Sequence, residues 1–169
     1  MSSLESALDT LKVWTLDEND TECNLNSLRG GAKAMVLDFW TTKCVKCPAA
    51  LEKLNDEAEG VDDVIYVSCA LSQGEGNKEM VRDLVGDWEN MTHVFMDMEN
   101  KEAAKAAFGF AQVPFYVVVS KEGNILGKGA PQSVDHQALL QSDATTLKTA
   151  TTVEQAPVDT NVFTLEEDF

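Results

Sequence analysis

Two cysteines, Cys44 and Cys47, stand where an apolar run gives way to a helical pattern. The run ends at Trp40, and Leu51 and Leu54 then begin an apolar helical face. At a helix N-terminus, unpaired backbone N–H groups and the helix dipole favour a thiolate. We therefore expect Cys44 on the exposed rim of this terminus, with Cys47 about one turn away and close enough to form a disulfide. The spacing predicts a reversible two-electron switch.

The same spacing also suits half of a zinc site, because structural zinc takes four Cys or His ligands in a closed geometry. The other candidate ligands occur singly along the chain, at Cys23, Cys69, His93 and His136. Neither a second C-x-x-C nor an H-x-x-x-H pattern is present. The redox interpretation is favoured on this spacing, and we expect no metal and no cofactor.

Charged residues next to the pair suggest a role for each thiol. Lys43 and Lys46 should favour the thiolate of Cys44, which is the predicted nucleophile. Cys47, deeper in the helix, is the predicted resolving thiol that breaks a mixed disulfide. Asp38 is a carboxylate within the apolar run, where burial is unfavourable unless the group is paired or functional and would raise its pKa.

Composition limits the function classes. The net charge of −16 argues against nucleic acid or an anionic membrane as partners. A hydrophobic content of 44% in 169 residues is enough for a folded core. No apolar run approaches the roughly 20 residues of a membrane span, and the N-terminal stretch has no signal-peptide pattern. We therefore expect a cytoplasmic protein in a reducing compartment.

Hydrophobic patterns predict the elements that position the cysteines. Strands are predicted at 12–16, 34–40, 64–70, 93–98, 115–120 and 125–129, and helices at 3–11, 48–59, 77–89, 100–108 and 133–141. Asn77 and Asn100 are the predicted caps of their helices. The segment 17–31 is ambiguous. Strand–helix alternation followed by a hairpin predicts an α/β sandwich with a mixed sheet, with a domain at 1–142 and a flexible acidic tail at 143–169.

Two segments resemble thioredoxin-fold proteins: VLDFWTTKCVKCP at 36–48 and FGFAQVPFYVVVSKEGNILGKGA at 108–130. The resemblance implies a thioredoxin-like three-layer sandwich, with a mixed central sheet flanked by helices. It also implies that the Val113–Pro114 bond is cis, that the Val113 backbone pairs with an extended substrate, and that Asp38 accepts the proton of Cys47. An additional strand and helix at 64–89 are similar to the branch that contains peroxiredoxins, tryparedoxins, nucleoredoxin domains and the bacterial thiol-disulfide reductases with a central insertion.

The segment also departs from that family's usual pattern. Thr42 and Lys43 stand where the family usually has Trp and a small residue, Val45-Lys46 replaces Gly-Pro, and Pro48 follows the second cysteine. Pro48 is compatible with the first turn of a helix. The predicted substrate-binding residues are Trp40, Lys43, Val45, Lys46, Val113 and Pro114.

The favoured function is a thiol-disulfide oxidoreductase that reduces protein disulfides, with electrons from an upstream reductase or a small thiol. A redox-sensitive adaptor with a docking tail is an alternative. A thiol peroxidase is less favoured, because Leu37 stands where peroxiredoxins have Pro and the chain's arginines are limited to Arg29 and Arg82. The sequence predicts no oligomeric state.

Overall fold

The computed structural model describes residues 3–30 and 33–145. Its strands are β1 (Lys12–Thr15), β2 (Glu22–Asn24), β3 (Ala34–Trp40), β4 (Val64–Leu71), β5 (Thr92–Met96), β6 (Phe115–Val119) and β7 (Ile125–Gly129). Its helices are α1 (Ser3–Thr10), α2 (Cys47–Ala58), α3 (Asn77–Leu84), α4 (Met98–Phe108) and α5 (His136–Thr145). Short 3-10 helices cover Asn26–Arg29, Val85–Asp87 and Pro131–Ser133.

The strands form one mixed sheet in the order β2-β1-β5-β4-β3-β6-β7, so the predicted α/β sandwich is confirmed. β3 lies inside the sheet, parallel to β4 and antiparallel to β6. All seven of its residues are buried, which explains why its sequence is a continuous apolar run rather than an alternating one. Asp38 is carried into the core by this strand.

The two faces of β3 are covered by different helices. Phe39 packs against Phe108, the last residue of α4, with ring centroids 5.7 Å apart, and stacks on Phe110 at 5.1 Å. Asp38 points to the opposite face, because side chains alternate along a strand. Leu51 and Leu54 of α2 are also buried, at 0% and 1% exposure.

Two predicted helix caps are wrong. The N-cap of α4 is Asp97, whose carboxylate accepts a hydrogen bond from the Asn100 backbone N–H at 2.9 Å. A carboxylate at this end of a helix is also favoured by the helix dipole. The N-cap of α3 is Gly76, at φ 77°, a left-handed conformation that costs glycine little. The Asn77 side chain is used elsewhere.

Three further details differ from the sequence prediction. The ambiguous segment contains β2, which pairs antiparallel with β1. α3 ends at Leu84 and a 3-10 turn follows, whereas the predicted helix continues to residue 89. Met80 and Leu84 of α3 are hydrophobic but 55% and 41% exposed. α5 begins at His136 and continues to Thr145, past the predicted domain end at 142. The rest of the predicted tail lies outside the described residues.

Candidate active site

Helix α2 begins at Cys47, and its first residue already belongs to the buried face. Cys47, Leu51, Leu54 and Ala58 follow one another at intervals of three or four residues, about one turn each, and are all buried. Pro48 lies in the first turn, where its missing N–H costs no helical hydrogen bond. The hydrophobic spacing of the helix therefore sets the depth of Cys47.

Cys44 and Cys47 form a disulfide, with their Cα atoms 5.4 Å apart. A tight turn makes this possible, because the Cys47 N–H donates to the Cys44 carbonyl at 3.3 Å. Cys47 is fully buried and Cys44 is 6% exposed. The expectation that Cys44 lies on an exposed rim is therefore wrong for the disulfide form. The two sulfurs differ in their access to a ligand, because Cys44 borders a cavity and Cys47 does not.

The Val113–Pro114 peptide bond is cis, as the resemblance implies. The carbonyl oxygen of Val113 lies 3.6 Å from the Sγ atom of Cys44. In the disulfide this sulfur carries no proton, so the approach is a contact rather than a hydrogen bond. The loop before β6 and the turn before α2 thus meet at the sulfur.

A cavity of about 480 Å³ opens beside this sulfur. It lies between the cysteine loop, the loop before β6 and the segment after β7. Its walls are largely apolar, with polar groups from Lys46, Gln112 and Gln132. Val45 projects beside it with 90% of its surface exposed, although it is hydrophobic. An apolar cavity with a few polar groups is the ordinary form of a binding site for an organic or peptide ligand.

Asp38 is completely buried on the face that α2 covers. Within residues 3–30 and 33–145, neither of its carboxylate oxygens has a hydrogen-bond partner. Burial raises the pKa of Asp38 well above its usual range. A carboxyl with a raised pKa keeps its proton at pH values where an exposed Asp is already ionised, and it is a stronger base once ionised.

Sequence reasoning missed two buried polar contacts, of which the first holds the cysteine loop. The Asn77 side-chain amide donates to the Thr42 hydroxyl at 2.8 Å, so the residue that replaces the family's usual Trp is tied to the start of α3. The ammonium of Lys101, a residue with 2% exposure, donates to the Ser72 carbonyl at 2.9 Å. The sequence shows both polar residues but not their partners, which are 35 positions away for Asn77 and 29 positions away for Lys101.

The predicted substrate-binding residues are not all at the surface of the cavity. Val45, Lys46, Val113 and Pro114 line it. Trp40 lies beneath them in the core, 1% exposed and in an edge-to-face contact with Trp88 at 6.2 Å. Lys43 is exposed but does not line the cavity.

Comparison with known protein families identifies the family of the chain. The model of a family described as thioredoxin-like matches residues 31–125, more than half of the 169 residues. The chain belongs to the thioredoxin-like family. The match includes β3, the cysteine pair, the additional β4–α3 unit and the Val113–Pro114 segment. It does not assign the chain to the tryparedoxin branch. No curated protein sequence matches the chain at a significant level.

Solved structures of this thioredoxin-like fold superimpose over most of the chain. DsbF of MTB, in mixed oxidised and reduced forms, has a TM-score of 0.59 and 21% identity, covering 80% of this chain and 93% of DsbF. A secreted Mycobacterium tuberculosis disulfide oxidoreductase homologous to E. coli DsbE has a TM-score of 0.59 and 20% identity, covering 82% of this chain and 97% of that protein. A thioredoxin-like protein from Aeropyrum pernix has a TM-score of 0.60 and 14% identity, covering 78% of this chain and 88% of that protein.

Within the described residues, no helix is long and apolar enough to cross a membrane. In the same part of the chain, no three Cys, His, Asp or Glu side chains are grouped as metal ligands would be.

Proposed function

We propose that this thioredoxin-like protein is a thiol-disulfide oxidoreductase that reduces disulfides of protein substrates. One observation carries the proposal: a disulfide between Cys44 and Cys47 lies at the start of a helix and beside an apolar cavity, against the Val113 backbone. An apolar cavity with a few polar groups at its wall suits an extended polypeptide, which offers both side chains and peptide groups.

The reductive cycle starts from the dithiol form. The Cys44 thiolate attacks one sulfur of the substrate disulfide, the substrate S–S bond breaks, and its other sulfur leaves as a thiolate that takes a proton from water. A mixed disulfide now joins Cys44 to the substrate. Lys43 and Lys46, close in sequence to Cys44, provide positive charge that favours the attacking thiolate.

The second step needs a base, because Cys47 is fully buried. Asp38 takes the Cys47 proton, and the resulting thiolate attacks the Cys44 sulfur. The mixed disulfide breaks, the second substrate sulfur leaves as a thiolate that takes a proton from water to complete the dithiol product, and the Cys44–Cys47 disulfide remains. Two electrons have passed to the substrate. A dithiol reductase or a small thiol then reduces the protein again, and we propose a reducing compartment such as the cytosol for this cycle.

A thiol peroxidase fits the site less well. Peroxide chemistry of that type uses an Arg beside the thiolate. The Arg29 guanidinium donates to the carbonyls of Lys33 and Lys121, and the Arg82 guanidinium donates to the Leu16 carbonyl. Both arginines are therefore engaged with loops other than the cysteine loop. The adaptor alternative depends on a tail outside the described residues, and no observation in the described part favours it.

The decisive experiment is reduction of insulin by dithiothreitol with catalytic amounts of the protein. We expect turnover for the wild type, none above background for Cys44→Ser or Cys47→Ser, and full turnover for Cys23→Ser, which removes a free thiol outside the site. Equal rates for the wild type and Cys44→Ser would overturn the proposed function. Peroxide consumption that requires Cys44, without insulin reduction, would favour the peroxidase instead.

Partner identity can be tested with the same chemistry. Cys47→Ser leaves Cys44 able to attack but removes the thiol that releases the product. Substrates should therefore accumulate as mixed disulfides that dithiothreitol releases. Cys44→Ser/Cys47→Ser is the matched control, since it retains the cavity and lacks both thiols. Capture that is equal for the two variants would indicate docking without thiol exchange.

A further inference from the structure

A row of polar residues crosses the sheet beneath the disulfide. Asp38 of β3 pairs with Ser68 of β4, and Ser68 pairs with His93 of β5, all in parallel register. Residues paired in this way point to the same face, and neighbouring strands are about 4.8 Å apart. Ser68 is fully buried, so it supplies a hydroxyl next to Asp38 on the β4 side.

Hydrogen bonds determine where the proton of that hydroxyl points. The Nε2 atom of His93 lies 2.6 Å from the Trp88 carbonyl oxygen, which can only accept, so Nε2 carries the proton. Burial lowers the pKa of His93 and keeps the ring neutral. The Nδ1 atom is then an acceptor. Ser68 Oγ, 2.6 Å from it, must be the donor.

The hydroxyl of Ser68 has a single proton, and this bond commits it to His93. The same bond turns the Ser68 hydroxyl toward β5 and away from β3. Among residues 3–30 and 33–145, both Asp38 oxygens lack a hydrogen-bond partner, so the Ser68 oxygen lies outside hydrogen-bond range of the carboxyl. A donated O–H would stabilise the carboxylate anion and make the group a weaker base.

Among the described residues, the other groups around Asp38 supply no positive charge that would lower its pKa. On β6, Tyr116 pairs with Asp38, and burial, together with the charges of Asp38 and Glu57, raises the pKa of the phenol. On β4, burial and the Asp38 charge raise the pKa of Cys69. On α2, Cys47 lies in the disulfide. His136 of α5 has its Nε2 3.0 Å from Glu57 Oε1, close enough for attraction but without the angle of a hydrogen bond.

We propose that His93 is a positioning residue that holds the Ser68 hydroxyl, with its proton, away from Asp38 and so preserves the Asp38 carboxyl as the acceptor of the Cys47 proton. The proposal rests on the proposed function, in which Asp38 is that acceptor. A base transfers protons most effectively when its pKa is near the working pH. Without His93, the Ser68 hydroxyl would turn to Asp38 and lower the pKa of this carboxyl.

The test is the titration of the Asp38 carboxyl, followed by carbon-13 NMR in the oxidised protein and assigned by its loss in Asp38→Asn. In His93→Leu, we expect the ratio of anion to acid at a given pH to rise about tenfold, because hydrogen bonds to charged groups are strong. His93→Asn retains an acceptor near Nδ1 and should titrate like the wild type. His93→Leu/Ser68→Ala should return to wild-type behaviour, because the hydroxyl is gone.

The double variant separates positioning from a general effect on folding. If His93 only filled space, removing the Ser68 hydroxyl would not reverse the effect of His93→Leu. An unchanged Asp38 titration in His93→Leu would overturn the proposal, and so would a shift that persists in the double variant. These measurements use the oxidised protein without turnover, so a failed insulin assay would count against the proposed function and leave this result independent.

A variant that does not fold leaves a second measurement on the wild type. Nitrogen-15 NMR of the His93 ring should show a protonated Nε2 and an unprotonated, hydrogen-bonded Nδ1 between pH 6 and 8. A protonated Nδ1 would overturn the proposal, because Ser68 would then accept from His93 and keep its own proton available for Asp38.

Discussion

The side-chain amide of Asn77 donates a hydrogen bond to the Thr42 hydroxyl over 2.8 Å, joining the start of α3 to the loop before the cysteines. Its carbonyl oxygen accepts from the Gln73 backbone N–H at 2.9 Å, so the same side chain also fixes the loop after β4. Asn77 is 4% exposed. One side chain thus holds two loops beside the reactive pair.

Asn77→Ala should loosen the cysteine loop. We expect a loss of about 1–2 kcal/mol in unfolding free energy, because two hydrogen bonds go and buried groups lose their partners. Insulin reduction should fall severalfold, because the Cys44 sulfur is less well placed. Asn90→Ala is the control, since the Asn90 side-chain amide also donates a hydrogen bond, to the Asn55 carbonyl, at an exposed position. Equal losses of activity in both variants would contradict the assigned role.

Lys43→Gln/Lys46→Gln should slow the reaction of Cys44 with a neutral alkylating agent. Both lysines are exposed, so the effect is modest, about threefold at low salt and smaller at high salt. The rate is measured with iodoacetamide at pH 7 in a Cys23→Ser background. Lys121→Gln/Lys128→Gln removes the same charge from the β6–β7 hairpin. A slowing of the same size in that control would mean that net charge, not the local pair, controls the thiolate.

Asp38→Asn should have opposite effects on stability and on turnover. Burial raises the pKa of Asp38 above its ordinary value of 3.8, so the folded wild type binds this proton more tightly than the unfolded chain does. The contribution of this carboxyl to the unfolding free energy is therefore greatest below about pH 4 and declines as the pH rises toward the folded pKa. The variant lacks this decline. Relative to the wild type, its unfolding free energy should increase with pH, by at most about 1.4 kcal/mol per pH unit.

The same substitution removes the base that accepts the Cys47 proton, so turnover should fall above neutral pH while the protein stays folded. Urea unfolding of the oxidised protein between pH 4 and 8 and insulin reduction over the same range measure the two effects. Asp83→Asn, an exposed position on α3, is the control for the loss of one negative charge. A turnover rate that equals the wild type at every pH would exclude Asp38 as the base.

Val45→Ser should weaken binding of protein substrates. Val45 lines the cavity and is 90% exposed, so its apolar surface is available for burial by a substrate. Full burial of a Val side chain contributes about 1.5 kcal/mol, which corresponds to an increase in KM of about tenfold at most, with kcat little changed. Val61→Ser, at another partly exposed Val outside the cavity, is the control. A small aromatic disulfide should be reduced equally by all three proteins.

Local patterns in the sequence were sufficient for most of the elements. Three features depend only on neighbours within a few positions along the chain. They are the continuous apolar run of β3, the apolar face of α2 formed by Cys47, Leu51 and Leu54, and the hairpin of β6 and β7. The same holds for the position of the reactive pair at the start of α2. Caps were less predictable, because Asp97, Asn100 and Gly76 are all acceptable at a helix start and small differences in geometry decide among them.

The sequence by itself determined an α/β chain with a redox-capable cysteine pair and a buried carboxylate. The tertiary structure decided which groups surround them. A period of two fixes the face of a strand residue but not its partner, so the register that aligns Asp38, Ser68 and His93 exists only once β3, β4 and β5 have paired. The approach of Val113 to Cys44 spans 69 positions for the same reason. Long-range pairing is a property of the packed sheet, and it placed His93, which occurs singly in the sequence, in the same row of the sheet as Asp38.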